Sequence, residues 1–167
     1  QHCDSAQPQM AAEAADNVFG CGYNSDMTEQ APKSHLTAPI WNWDVYYELA
    51  IKTAMENPTN FMGIVGNYYG GLKENFIGIS ELTANCEAGT AEMIKLATDL
   101  MVSGNWDVFS GVKLSFTNNN GSYDVETTDA DLVDAAGNVI VKAGGPSVED
   151  SVIQGSMNYY VKGVTAE

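Results

Sequence analysis

The sequence predicts an α/β fold in which a parallel sheet is flanked by helices, with a β-rich segment near the C-terminus. Over the first third of the chain, short apolar segments alternate with helical ones, and strand–helix–strand units of this size are typical of parallel sheets with right-handed crossovers. From residue 110 to 141 the pattern changes to strands separated by turn sequences. The 167 residues are 44% hydrophobic, which excludes a disordered chain and is enough for a core.

The first half contains the alternating elements. Asp4 or Ser5 provides an N-cap for the first helix, and Pro8 is tolerated in its first turn. Pro58 ends the second helix. The predicted elements, in chain order, are a helix after residue 5, strands over 18–23 and 34–39, a helix over 44–57, and strands over 67–72 and 76–79 within a glycine- and aromatic-rich segment, 63–79.

The second half begins with the clearest helical pattern, residues 88–104. Its apolar residues recur at helical spacing, and Gly104 ends it. The turn sequence Asn118–Gly121 predicts a β-hairpin. The remaining predicted elements are a short strand over 106–109, a short helix over 147–154 and an aromatic closing segment over 157–164.

The charge of the chain excludes several classes of partner. There are 22 acidic residues against 7 cations, all of them lysine, and the net charge is −15. A chain without arginine at this charge lacks the basic patch that nucleic acids require, and it would be repelled by anionic lipid. The expected ligand is therefore neutral or cationic and carries no phosphate, while solubility accounts for most of the acidity.

The candidate site lies where the predicted strands end, because ligands bind beyond the carboxyl ends of the strands in open parallel sheets. The side chains at these ends are His2, Asp4, Ser5, Asn24, Asp26, Trp41 and Trp43. Indole faces suit a planar ligand, and carboxylates accept hydrogen bonds from a ribose or an exocyclic amine. If the strand continues through both tryptophans, we expect them to occupy opposite faces, so that one could belong to the core and at least one should face the ligand.

Simpler interpretations of these residues stay open. Asp4 is also explained as a helix cap, Asp26 as a turn residue and His2 as an exposed or structural side chain. The tyrosine pairs, at 46–47 and 68–69, are predicted to pack rather than to bind.

The motifs of common enzyme classes are absent from the sequence. There is no GxSxG, HExxH or Walker loop. His2, Asp4 and Ser5 lie too close together on one strand to form a catalytic triad. The sequence predicts no enzyme, metal or cofactor, with an acid–base hydrolase using Asp4 and Asp26 or a structural β-rich protein as lesser alternatives. The three cysteines show neither a CxxC nor a Cys/His metal spacing, and their pairing stays open.

An ordered set of motifs points to a known family. It consists of Gln-His-Cys-Asp-Ser-Ala at 1–6, Gly-Tyr-Asn-Ser-Asp-Met at 22–27, His-Leu-Thr-Ala and Trp-Asn-Trp within 31–47, Tyr-Tyr-Gly-Gly-Leu-Lys-Glu at 68–74 and Ser-Gly-Asn-Trp-Asp-Val-Phe at 103–109. Together they resemble the basic membrane protein (BMP) family, which comprises substrate-binding components of ABC transporters that bind purine bases or nucleosides. The resemblance covers residues 1–109, and 159–164 is similar to the closing segment of the family.

The resemblance implies an incomplete two-lobed fold of the periplasmic-binding-protein type I. Residues 1–109 would hold ligand-binding lobe segments and hinge crossings, and 110–167 a β-rich insertion and the closing segment. An N-terminal lobe, a signal peptide and a lipid-anchor cysteine would precede Gln1, which implies a periplasmic or extracellular location. No direct membrane insertion of this segment is expected.

The resemblance also implies a function and roles for individual residues. The protein would capture a purine base or nucleoside in an interlobe cleft and deliver it to a membrane permease, with a sugar or other small polar solute as the alternative ligand. Asp26 resembles the polar ligand contact of the family, and residues 2–5 match a cleft-lining loop. Trp41 stands where nucleoside-binding relatives carry a lysine, which favours a stacked base.

Overall fold

A computed structural model describes residues 2–164, which form two units that divide between Glu87 and Ala88. The first unit contains α1 (Gln7–Glu13), β1 (Pro39–Trp41), α2 (Trp43–Glu56), α3 (Phe61–Val65) and β2 (Ile77–Ile79). The second contains α4 (Thr90–Ser103), β3 (Val112–Asn119), β4 (Ser122–Asp129), β5 (Leu132–Val133), β6 (Val139–Val141) and α5 (Asp150–Gly155). The predicted mixed α/β class is confirmed.

In the first unit, the segment 34–41 is bonded to neighbours on both sides. β1 pairs antiparallel with β2, with Pro39 opposite Ile79. On the other side, residues 20–24 run parallel to 34–40 through isolated bridges, and the Gly22 amide donates to the Thr37 carbonyl at 2.8 Å. The sheets of the described residues are two-stranded and antiparallel. Of the predicted parallel sheet, the described residues show only these isolated bridges. The segment 20–24 is short and contains two glycines, which weaken a strand.

Two glycines in the segment 20–24 make room for buried polar side chains. A Cβ on Gly20 would lie 2.3 Å from the Gln9 side-chain oxygen, and one on Gly22 would lie 3.0 Å from the His35 ring. Gln9 and His35 are both buried. The glycines therefore allow a helix and two extended segments to close around a polar pair rather than an aliphatic one.

The segment 63–79, predicted to be extended, differs most from expectation. Its first residues belong to the short helix α3, in which the amides of Gly63 and Ile64 both donate to the Asn60 carbonyl. Gly66 follows at a φ of 55° and ends the helix. No strand forms over 67–72, and the predicted strand over 76–79 is present as β2. Glycine-rich sequence was interpreted as extended, but local backbone hydrogen bonds closed a helical turn instead.

The β-rich prediction is confirmed in the second unit. β3 and β4 form a hairpin of eight residue pairs, from Val112 opposite Asp129 to Asn119 opposite Ser122. Asn120 and Gly121 both have positive φ, at 57° and 101°, as expected for a type I′ turn whose twist matches that of the strands. β5 and β6 form a second antiparallel pair.

The predicted strand over 106–109 is wrong. The Asp107 carboxylate accepts from the Phe109 amide at 2.9 Å and from the Ser147 hydroxyl at 2.7 Å. A side chain that bonds the backbone two residues ahead closes a turn and competes with a strand ladder.

Replacing Gly121 by alanine is expected to lower the free energy of unfolding by about 1 kcal/mol, because a side chain at positive φ is strained. Chemical denaturation monitored by circular dichroism measures this change. Gly155→Ala is the control, since a Cβ there would meet nothing within 4 Å and the residue ends a helix. Equal effects of the two substitutions would contradict the turn assignment.

Candidate ligand-binding site

Most of the residues predicted at the strand ends line two cavities of the first unit. Trp41 and Trp43 line an aromatic cavity of about 570 Å³. Asp4, Ser5, Asn24 and Asp26 line a polar cavity of about 290 Å³. The two cavities share no lining residue among those that the structure describes. The sequence predicted a single rim; the structure separates its aromatic and polar members.

Both tryptophans face the aromatic cavity and are half-exposed, at 37% for Trp41 and 49% for Trp43. Their ring centroids lie 5.9 Å apart, and each lies 5.5 Å from the ring of the buried Phe76. The prediction that they occupy opposite faces is wrong, since residues two apart in a strand share a face, and no strand continues through both. The strand instead ends at Trp41, and α2 begins at Trp43.

Asn42 holds the junction between the two tryptophans. Its backbone amide donates to the Phe76 carbonyl, and its side-chain amide donates to the Asn75 carbonyl, both at 2.8 Å. Asn75 has a φ of 56°, a conformation that asparagine tolerates better than most residues. These two bonds tie the start of α2 to the residues before β2 and bring both indoles against Phe76.

The sequence interpretation missed part of the aromatic cavity. Tyr46, Tyr68 and Tyr69 were predicted to pack, yet they line it. Tyr68 also packs edge-on against Phe76, with centroids 5.1 Å apart, so packing and lining coexist in one residue. The detectable signal was the density of aromatic residues between positions 41 and 76. A search for helical or strand periodicity does not detect this density, because the chain turns repeatedly between these positions.

The polar cavity is built around the Asp26 carboxylate. Asp26 Oδ1 accepts from the Thr28 hydroxyl at 2.6 Å and from the Thr28 amide at 2.9 Å. These bonds, the side-chain one foremost, lower the pKa of Asp26 and keep it ionised. Asp26 is therefore both a turn residue and an acceptor that lines the cavity, so its interpretations as a turn residue and as a site residue are compatible.

The other residues of this region have varied roles. Asn24 lines the polar cavity with a φ of 71°, a conformation that asparagine adopts more readily than most residues. Asp4 is not the helix cap, since the N-cap of α1 is Ala6 and the Gln7 amide donates to Ser5 Oγ at 3.2 Å. His2 is exposed and packs edge-on against the Tyr23 ring, with centroids 4.3 Å apart.

Neither a metal centre nor a membrane span is found in the part of the chain that the structure describes. Over residues 2–164, no three His, Cys, Asp or Glu side chains are grouped as metal ligands. In the same range, none of the helices combines the length and the hydropathy needed to cross a bilayer.

The family model described as "ABC transporter substrate-binding protein PnrA-like" (Bmp) matches residues 2–103 of the chain. The chain belongs to the Bmp family. The match covers more than half of the chain and includes every residue that lines the two cavities, and it ends before the β3–β4 hairpin. The resemblance found in the motifs is thereby confirmed. A comparison with curated proteins finds no significant match.

Membership of the Bmp family establishes the general role of the chain. Bmp proteins are substrate-binding components of ABC transporters, a class that works outside the cytoplasm, is generally non-enzymatic and serves a permease. Two cavities in the matched region are consistent with binding of a small molecule.

Proposed function

We propose that this Bmp protein captures a purine base or nucleoside and delivers it to the permease of its transporter. The observation that carries the proposal is the aromatic cavity, in which two half-exposed indoles stand over a buried phenylalanine. Its volume of about 570 Å³ lies within the range of roughly 300–1,000 Å³ that is usual for small-molecule sites. Planar heterocycles stack on such surfaces whatever their pattern of hydrogen bonding.

The polar cavity supports a ligand that carries hydrogen-bond donors. Asp26 is held ionised, and an ionised carboxylate only accepts hydrogen bonds. Ribose hydroxyls and exocyclic amines are donors of the kind it would select. The net charge of −15 and the lack of arginine disfavour a phosphorylated ligand. A base or nucleoside satisfies all of these conditions, whereas a nucleotide does not.

The proposal extends to the architecture implied by the family resemblance. We propose that residues 1–109 supply lobe segments and hinge crossings of a two-lobed binding protein, that 110–167 supply an insertion and the closing segment, and that the protein is lipid-anchored. Apolar side chains are exposed on α2 and α3, among them Ile51, Met55 (79% exposed) and Met62, and a partner lobe would cover them. The sheet of that lobe would extend the parallel bridges. The permease would recognise the closed form.

A panel of four compounds tests the choice of ligand. Adenine, adenosine, AMP and glucose are each titrated into the protein, and the melting temperature is followed. Adenine or adenosine is expected to stabilise the fold by about 2.7 kcal/mol when present at one hundred times its dissociation constant. AMP is expected to have a much smaller effect because of its phosphate. A rise in melting temperature with glucose and none with adenine or adenosine would show that the ligand is a sugar and not a purine.

A further inference from the structure

The core of the first unit contains a histidine that the proposed binding scheme does not use. His35 is fully buried, at 0% exposure, and so is its neighbour Gln9, at 2%. Buried polar groups are stable only when they are hydrogen-bonded, so the bonds of this pair can be followed atom by atom.

The hydrogen bonds of Gln9 assign the tautomer of His35. Gln9 Nε2 lies 3.0 Å from the Gly20 carbonyl oxygen and 2.7 Å from His35 Nδ1. A carbonyl oxygen can only accept, so the amide group facing Gly20 must be the NH₂ and not the oxygen. Its second hydrogen then points at His35 Nδ1, which acts as an acceptor. The proton of the neutral ring is therefore on Nε2.

The protonated nitrogen faces the polar cavity's carboxylate. His35 Nε2 is buried, is without a hydrogen-bond partner within the described part of the chain, and lies 3.4 Å from Asp26 Oδ1. Burial lowers the pKa of His35, and the opposing effect of Asp26 is smaller, so the ring stays neutral. The contact is thus a neutral ring nitrogen close to a carboxylate oxygen, without the geometry of a hydrogen bond and without the charge of an ion pair.

Two donors bond to one oxygen of Asp26, and a third donor lies close to the same oxygen. The Thr28 hydroxyl and amide bond to Oδ1, and His35 Nε2 lies 3.4 Å from the same atom. Within the described residues, this leaves Oδ2 as the oxygen available to the polar cavity. We infer that His35, oriented by Gln9, is a positioning residue that holds Oδ1 of Asp26 against the protein and presents Oδ2 to the ligand. The ligand part of this inference rests on the proposed function.

Nitrogen NMR of the imidazole rings tests the pair without any ligand. The chain has two histidines, so a His2→Gln variant isolates the signals of His35. At neutral pH we expect His35 to be a single Nε2-protonated tautomer, and Asp26→Asn to shift its Nε2 resonance while the Nδ1 resonance stays in place. An Nδ1-protonated ring, a mixture of tautomers, or an Nε2 signal indifferent to Asp26→Asn would overturn the inference.

Adenosine titration tests the effect on binding. His35→Leu keeps a bulky side chain but removes the donor, and it is expected to weaken adenosine binding about tenfold. His35→Gln retains an N–H and is expected to restore most of the affinity. Equal affinity of all three proteins would overturn the positioning role. If the wild-type protein bound no adenosine, the proposed ligand would be wrong, and the imidazole spectra would still decide whether His35 Nε2 interacts with Asp26.

Discussion

Replacing Trp41 by alanine is expected to weaken the binding of adenine or adenosine by about 5- to 150-fold. Stacking of a base on an aromatic side chain contributes about 1–3 kcal/mol, and the substitution removes one of the two exposed indole faces of the aromatic cavity. Trp41→Phe keeps a smaller ring and should recover part of the loss. Isothermal titration calorimetry with the purified protein measures all three affinities.

The matched control for this prediction is Phe19→Ala. Phe19 is an exposed aromatic residue of the same unit, at 52% exposure, and it does not line the aromatic cavity. Its removal should leave the affinity unchanged. The stacking role of Trp41 would be contradicted if Trp41→Ala bound as tightly as the wild-type protein, or if Phe19→Ala weakened binding to the same extent.

Phe76→Ala is expected to lower the free energy of unfolding by about 3–5 kcal/mol, which is the usual cost of emptying the site of a buried phenylalanine. The ring is 6% exposed, and large apolar side chains buried to this degree are scarce in the described residues. It contacts the rings of Trp41, Trp43 and Tyr68, and each such pair contributes about 0.5–1.5 kcal/mol beyond the buried area. Urea unfolding with linear extrapolation measures the loss.

Tyr69→Ala is the control that distinguishes a residue that stabilises the aromatic cavity from one that only lines it. Tyr69 lines the same cavity but is 72% exposed, so its removal should change the free energy of unfolding by less than about 0.5 kcal/mol. A large loss for Tyr69→Ala, or a small one for Phe76→Ala, would show that Phe76 is not the residue on which the indoles rest.

The elements that the sequence predicted well are those whose bonds are local. The helix over 88–104 appears as α4 at Thr90–Ser103, and the helix over 44–57 appears as α2 at Trp43–Glu56. The hairpin turn at Asn120 and Gly121 also follows from local chemistry, because these two residue types adopt positive φ. In each of these elements, the residues that determine the structure are close together in the chain.

The grouping of the site residues was predicted less well, because it depends on contacts between distant residues. Trp41 and Trp43 share a cavity only because Asn42 bonds to residues 75 and 76, more than thirty positions away. Strand periodicity places residues 41 and 43 on one face, but nothing within 39–43 shows that this face lies against Phe76. α3 was missed for a different reason: its bonds are local, but a short segment that contains Gly63 suits several backbone conformations.

By itself, the sequence determined the mixed α/β class, the acidity that disfavours phosphorylated ligands and the family, since all three depend on residue types and their order. Tertiary structure alone decided that the indoles and the carboxylates occupy separate cavities, and that the buried His35 lies beside the exposed Asp26. The physical reason is that hydrogen bonds such as Gln9 to His35 and Asn42 to Asn75 join residues 26 and 33 positions apart. Their geometry exists only once the chain has folded.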